Sequence, residues 1–315
     1  MEILPLTVES IAGYVVSPVA ALLFSPLVPG IINRIKALFA GRNGPPLLQP
    51  YFDLLRLFRK GSVTSTTTSW IFRMAPVMVF AATLCATLFV PITTWTAPIV
   101  IPGDLIMMLY LLCIARFFII ISALDTGSPF EGMGASREAF FSAIAEPVTF
   151  ICFINVMRSE HTVSIGAALC SSCAVVSDSI SVLLAALPLF VVLLAENARI
   201  PFDDPNTHLE LTMIHEVMIL DNSGAGLGLL EYAAAIKLWF FSLVIGRILL
   251  PIPGYNPLLQ LGMMLLIICG IAVAVGITES IMARVRLLKV PQLLFGAGVA
   301  SLLGFFFSVT GAFSW

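Results

Sequence analysis

Residues 187–216 read LPLFVVLLAENARIPFDDPNTHLELTMIHE. The run LPLFVVLLA is apolar throughout, and the segment from Glu196 to Glu216 then carries three glutamates, two aspartates, two histidines and one arginine. Only 11% of the chain is charged, so this density marks a boundary where an apolar helix leaves a membrane for a titratable loop. The rest of the chain agrees. It is 59% hydrophobic with a mean hydropathy of +1.04, and several windows exceed the ~20 apolar residues that a helical crossing needs. The apolar runs are continuous rather than alternating, which argues against a β-barrel. The sequence therefore predicts an all-α polytopic membrane protein, a single membrane domain over 1–315, with about eight spans near 10–32, 70–92, 104–124, 138–157, 179–196, 228–250, 258–281 and 291–313. The Ser-rich stretch IGAALCSSCAVV is too short for a ninth span and reads as a loop element.

Basic residues set the orientation. Arg34, Lys36, Arg42, Arg56, Arg59 and Lys60 fall between spans one and two, and Arg284, Arg286 and Lys289 between seven and eight. Arg137 and Arg199 border loops on the same side, whereas Arg158 and Arg247 fall near the other. These loops are expected in the cytoplasm, with both termini outside. The N-terminal MEILPLTVES has no basic n-region, so it is expected to stay in the mature chain. In the first loop, Phe52, Leu55 and Phe58 recur at helical spacing with Asp53, Arg56 and Lys60 turned elsewhere, an amphipathic helix suited to the interface or to a docked partner.

Other chemistries find little footing. No basic, aromatic-interleaved segment offers a nucleic-acid groove. Cys85, Cys113, Cys152 and Cys269 sit in apolar runs, and Cys170 and Cys173 form one CxxC with no second pair. A disulfide there is one reading, but an iron–sulfur cluster is not, so any electron-carrying cluster would have to belong to another subunit. His215-Glu216 is followed by Val217, Met218 and Ile219 and lacks the second histidine of a zinc peptidase. A metal held by His208, Glu210 and His215 is a minor alternative, and no metal site is assigned.

Ionisable residues inside spans are costly and rarely idle. Arg116, Glu146, Glu196, Glu231, Lys237 and Glu279 all fall in apolar runs. They are either buried ion pairs that fix helix packing, with Arg116 against an acid on a neighbour, or a row of protonatable groups leading inward from the loop.

Five segments carry a family resemblance: GRNGPPLLQPYFDLLRLFRK, IARFFIIISALDTGSPFEGMGASREAFFSAIAEP, ENARIPFDDPNTHLEL, LDNSGAGLG and ITESIMARVRLL. The chain resembles the mitochondrial subunit 1 family of respiratory complex I, and more closely the membrane anchors of formate hydrogenlyase and group 4 membrane-bound hydrogenases of the hydrogenase-4 component C type. The resemblance implies an inner-membrane subunit, not catalytic alone, that joins hydrogenase-like large and small subunits and an iron–sulfur subunit to antiporter-like membrane subunits. Iron–sulfur and nickel–iron or flavin centres would lie in those partners, and none in this chain. The resemblance places Glu146, Glu196, Asp203, Glu210 and Glu279 in proton handling, and His208, His215 and Glu216 join them as titratable groups of the same loop on their own chemistry. The resemblance makes Arg116, Asp125, Arg137, Glu138, Arg199 and Lys237 their charge partners and matches Asp53 to the family's first-loop acid; with Arg56 and Lys60 of the same amphipathic helix, Asp53 is expected to dock the peripheral arm.

This sequence departs from the family where an acid-rich run usually follows PFD. Here DPNTHLEL puts Asn206 and His208 at positions of expected carboxylates, and Asp221-Asn222 precedes Ser223-Gly224 in place of Glu-Tyr. Histidine can hold a proton near neutral pH, so a relay could survive the exchange. Two rival readings are a quinone-binding subunit of a hydrogen-independent oxidoreductase, with quinone entering between span one and the loop helix, and a stand-alone secondary ion transporter.

Overall fold

The computed structural model describes residues 8–93, 99–170, 179–203, 213–249 and 256–310. Among them the chain forms twelve α-helices and no strands. The first apolar stretch is broken. α1 (Val8–Phe24) and α2 (Leu27–Phe39) are separated by Ser25 and Pro26, because a proline cannot donate to the preceding turn. Carbonyls released at that break are taken up from outside: Tyr232 Oη donates to Leu22 O at 2.5 Å and Tyr51 Oη to Leu23 O. Together the pair runs from Gly13 to Phe39 as one crossing. It reaches beyond the expected end at 32, since Arg34 and Lys36 lie on a continuing helix and not in a loop.

α3 (Gln49–Arg59) is the amphipathic helix of the first loop. Leu54 is buried, while Phe52, Leu55 and Phe58 are exposed. α4 (Trp70–Ala86) is capped by Ser69, whose Oγ accepts from Ile71 N at 3.2 Å. α5 (Asp104–Asp125) and α6 (Pro129–Ser159) follow. α6 begins well before the expected 138, because Pro129 occupies its first turn and the Gly/Ser/Arg/Glu composition of residues 131–138 hides a helix from a hydropathy reading.

The stretch expected as a loop contains a buried helix, α7 (Ile165–Cys170). Its ends explain it. Asp104 accepts from Ile165 N at 2.8 Å, Gly166 N at 3.1 Å and Ser164 Oγ, and at the other end Arg247 donates Nε and Nη2 to Leu169 O at 3.1 and 2.6 Å. An acid at the N-terminus and a cation at the C-terminus suit the helix dipole and satisfy buried backbone groups that water cannot reach.

α8 (Ser179–Glu196) occupies the expected fifth span. The four-residue α9 (His215–Met218) and α10 (Gly224–Leu249) come next, then α11 (Pro257–Ile281) and α12 (Val290–Thr310). Seven helical segments are long and apolar enough to cross a membrane among the described residues. α8, at 18 residues, supplies the remaining expected position. α10 is buried around nearly its whole circumference and packs against α1–α4, α8 and α11, as a helix apolar on all sides must. It starts at Gly224, whose φ of +55° and closeness to the Lys60 and Gly61 carbonyls leave no room for a Cβ.

Candidate functional site

Arg116 stands midway along α5 and is 7% exposed. Its Nη2 lies 2.6 Å from both Glu196 oxygens, Nη1 pairs with Glu146 Oε1, and Nε is 3.5 Å from Glu138 Oε1. Glu138 and Glu146 stand on one flank of α6, eight residues apart. Lys237 on α10 reaches Glu196 Oε2 at 2.7 Å. Four helices therefore contribute to one ion-pair network. A guanidinium suits its centre because the planar fork offers several donors in fixed directions.

Below Glu196 the chain makes a compact turn, with Arg199 N donating to Leu194 O at 2.9 Å and Asp203 N to Arg199 O at 3.3 Å. Asp203 is almost wholly buried and accepts from Ile214 N (2.9 Å) and His215 N (3.2 Å), while Arg284 Nη2 donates to it at 2.8 Å. Glu279, late in α11, pairs with Lys36 at 2.9 Å and lies 3.5 Å from Arg199. Arg137 Nη1 donates to Met213 O at 3.0 Å and holds the segment before α9 against α6.

Two cavities meet at Arg116 and Glu196. A small one of about 40 Å³ is lined by Arg116, Glu138, Glu196, Asn197, His215 and Lys237, among others, room for very few waters and with ample polar partners for them. The other is a cleft of about 690 Å³ between α5 and α6, with Cys113, Glu146 and Pro147 in its walls. The Arg116–Glu196 pair forms the partition between them.

His215 faces the small cavity. Burial, with Lys237 and Arg199 nearby, holds its imidazole down to about 4, so it is neutral at pH 7. Glu216 moves the other way, raised by burial and by Asp203 against the opposing pull of Arg199. The histidine carries a pH signature. An unfolded His215 takes a proton as pH falls below about 6.5, whereas the folded one resists until about 4. Its contribution is thus complete above 6.5 and is lost on the order of 3 kcal/mol as pH drops to 4. Thermal midpoints of the purified protein from pH 7 to 4 should fall less steeply for His215→Asn than for the wild type; parallel curves would place the histidine elsewhere.

Other expected residues lie apart from the network. Asp125 accepts from Ser69 N at 2.7 Å and Ser69 Oγ at 3.0 Å, so it secures the start of α4 and takes no part in the Arg116 cluster. Asp53 accepts from Gln49 Nε2 at 2.9 Å within α3, and Arg56 and Lys60 are exposed on that helix and at its end. His208, Glu210 and Cys173 lie outside the described residues. Asp104 and Arg284 escaped the sequence reading as site residues. The acid after Pro102-Gly103, opening an apolar run, was a signal for the first; nothing local marks Arg284 as the partner of Asp203.

A model of the NADH dehydrogenase family matches residues 12–309. The chain is 32% identical to formate hydrogenlyase subunit 4 of Escherichia coli over 284 residues, 85% of this chain and 89% of that one. It is 30% identical to hydrogenase-4 component C of the same organism, over 93% and 94% of the two chains. NADH-ubiquinone oxidoreductase chain 1 of Triticum aestivum is 30% identical over 71% of this chain and 73% of that one. Among solved structures, a chain of the membrane-bound sulfane sulfur reductase, an archaeal respiratory membrane complex, superposes with a TM-score of 0.81 at 22% identity, covering 96% of this chain and all of that one. The chain belongs to the NADH dehydrogenase subunit 1 family.

Proposed function

We propose that this chain is the membrane-anchoring and ion-coupling subunit of a hydrogenase-type, complex I-related redox assembly. Its place on this reading is the cell inner membrane, with the loop carrying α3 in the cytoplasm and both termini outside. It joins a peripheral arm of hydrogenase-like large and small subunits and an iron–sulfur subunit to antiporter-like membrane subunits. The electron-carrying centres belong to those partners. Formate hydrogenlyase subunit 4 and hydrogenase-4 component C, related along nearly their whole length, support the assignment. α3 is the docking element, presenting exposed Phe52 and Leu55 beside Arg56 and Lys60.

One observation carries the coupling role. Titratable groups run without a large gap from Glu216, His215 and Asp203 at the loop to Glu196, Arg116 and Glu146 inside the bundle, with the small cavity between His215 and Glu196. A charge arriving in the peripheral arm alters the field at the loop end. Glu216, raised by burial beside Asp203, responds by taking a proton, and the change in field alters how Glu196 is shared between Arg116 and Lys237 and passes on to Glu146. His208 and Glu210 extend the same row towards the loop on this reading.

Glu196→Gln tests it, because the amide keeps the shape and an acceptor for Lys237 but removes the charge that passes the change on. In vesicles containing the whole complex, electron transfer should persist while the ions moved per electron fall roughly tenfold or more. A variant that moves ions at the wild-type ratio would make these acids structural only.

A further inference from the structure

The cleft between α5 and α6 is apolar around its rim and polar at its base. Glu146 lies near the middle of α6, yet its side chain is 43% exposed into this space. At that depth a carboxylate facing hydrocarbon is strongly disfavoured. A second acceptor stands beside it. Pro147 has no N–H, so the carbonyl of Ala143 one turn earlier has no helical donor from that position. Glu146 Oε1 already takes Arg116 Nη1 at the base of the cleft, and the cleft wall adds only a weak donor, Cys113 Sγ at 3.3 Å to the same oxygen. The charges do not cancel either. Glu138, Glu146 and Glu196 share Arg116 and Lys237, three acids against two cations. Along the exposed face of α6, Ala139, Ala143 and Pro147 recur at four-residue intervals, which lets another helix backbone approach closely.

We infer that this cleft seats a transmembrane helix of a different membrane subunit, one that presents hydrogen-bond donors to Glu146 and to the Ala143 carbonyl at the bilayer midplane. The inference rests on the coupling role above and gives it an exit. Three occupants compete for the space. A lipid tail fills volume but supplies no donor. A second copy of this chain across a two-fold axis would set Glu146 against Glu146. A helix bearing a hydroxyl, amide or ammonium group meets both the shape and the charge.

The test uses the intact complex in its native membrane. Tyr110→p-benzoylphenylalanine and Ala143→p-benzoylphenylalanine place photoreactive groups in the cleft, and Leu266→p-benzoylphenylalanine on the outer face of α11, where Leu266 is exposed, serves as control. Both cleft probes should cross-link to one transmembrane segment of another subunit, with a donor side chain within a turn of the adduct, and Leu266 should not. Adducts with lipid or quinone, a cross-linked second copy, or cleft yields no greater than at Leu266 would each overturn the proposal. Ala143→Trp fills the cleft independently and should release that same subunit from the purified complex while the peripheral subunits stay bound; its retention also overturns the proposal. If Glu196→Gln uncouples as expected but the cleft probes meet only lipid, the coupling role stands and the seat is wrong.

Discussion

Arg116→Met should be the most damaging single substitution in the bundle, lowering stability by about 3–5 kcal/mol and the yield of intact complex with it. The size follows from what remains. Glu138, Glu146 and Glu196 all lean on this one guanidinium, and among the described residues Lys237 pairs only with Glu196. Methionine fills the volume but leaves the carboxylates without their central cation, and a buried charge left unpaired costs far more than the pair contributes when whole. Arg116→Lys keeps the charge on a single ammonium that cannot face three acids at once, so it should fall between methionine and wild type. Arg116→Met combined with Glu196→Gln should recover part of the loss, because one orphaned charge is gone. Thermal inactivation of the purified complex measures all four proteins. A fully stable Arg116→Met would mean that the acids are neutral at rest and that the network is not held by charge.

Much of the frame is legible in the sequence, for an elementary reason. A window of about twenty apolar residues has few stable destinations, so the helices lie close to where hydropathy places them. The exceptions share a cause. Residues 129–137 are helical through proline placement and tertiary support, and α7 exists because Asp104 and Arg247 hold its two ends from other helices. Neither can be read from periodicity over six or nine positions. The site divides in the same way. That Arg116 needs an acid follows from its depth in an apolar run, but that it takes three, from two helices, is a matter of tertiary placement. Asp125 shows the converse. An acid at the end of a span is as well served by the backbone donor of the next helix as by an arginine, and here it meets Ser69. Glu279 was legible as a buried acid, while its partners Lys36 and Arg199 come from segments more than seventy residues away in the chain.

Gly134→Ala should disrupt coupling without removing a single titratable group. A Cβ at this position on α6 would sit 2.9 Å from the carbonyl oxygen of Ile214 and 3.0 Å from Met218 Cγ, and closer still to Val217. The nearest backbone atom cannot rotate away as a side-chain tip can, so α9 must shift outward, at about 1–3 kcal/mol for such overpacking. That shift pulls Ile214 N and His215 N from Asp203, strains the contact of Arg137 with Met213 O, and opens the small cavity beside Glu196. Water entering there would screen the charges whose mutual response is the proposed coupling. The expected result is electron transfer near the wild-type rate with ion movement per electron sharply reduced. Gly132→Ala, slightly earlier on the same helix, is the matched control, since its Cβ would meet nothing within 4 Å. There the better helix former should leave coupling intact and add roughly 0.5–1 kcal/mol of stability. Opposite outcomes from the same added methyl, two positions apart, would locate the effect in the seating of α9. Equal outcomes would mean that α9 is not what closes the cavity, and the row from loop to bundle would then have to be sought through Glu279 and Arg199.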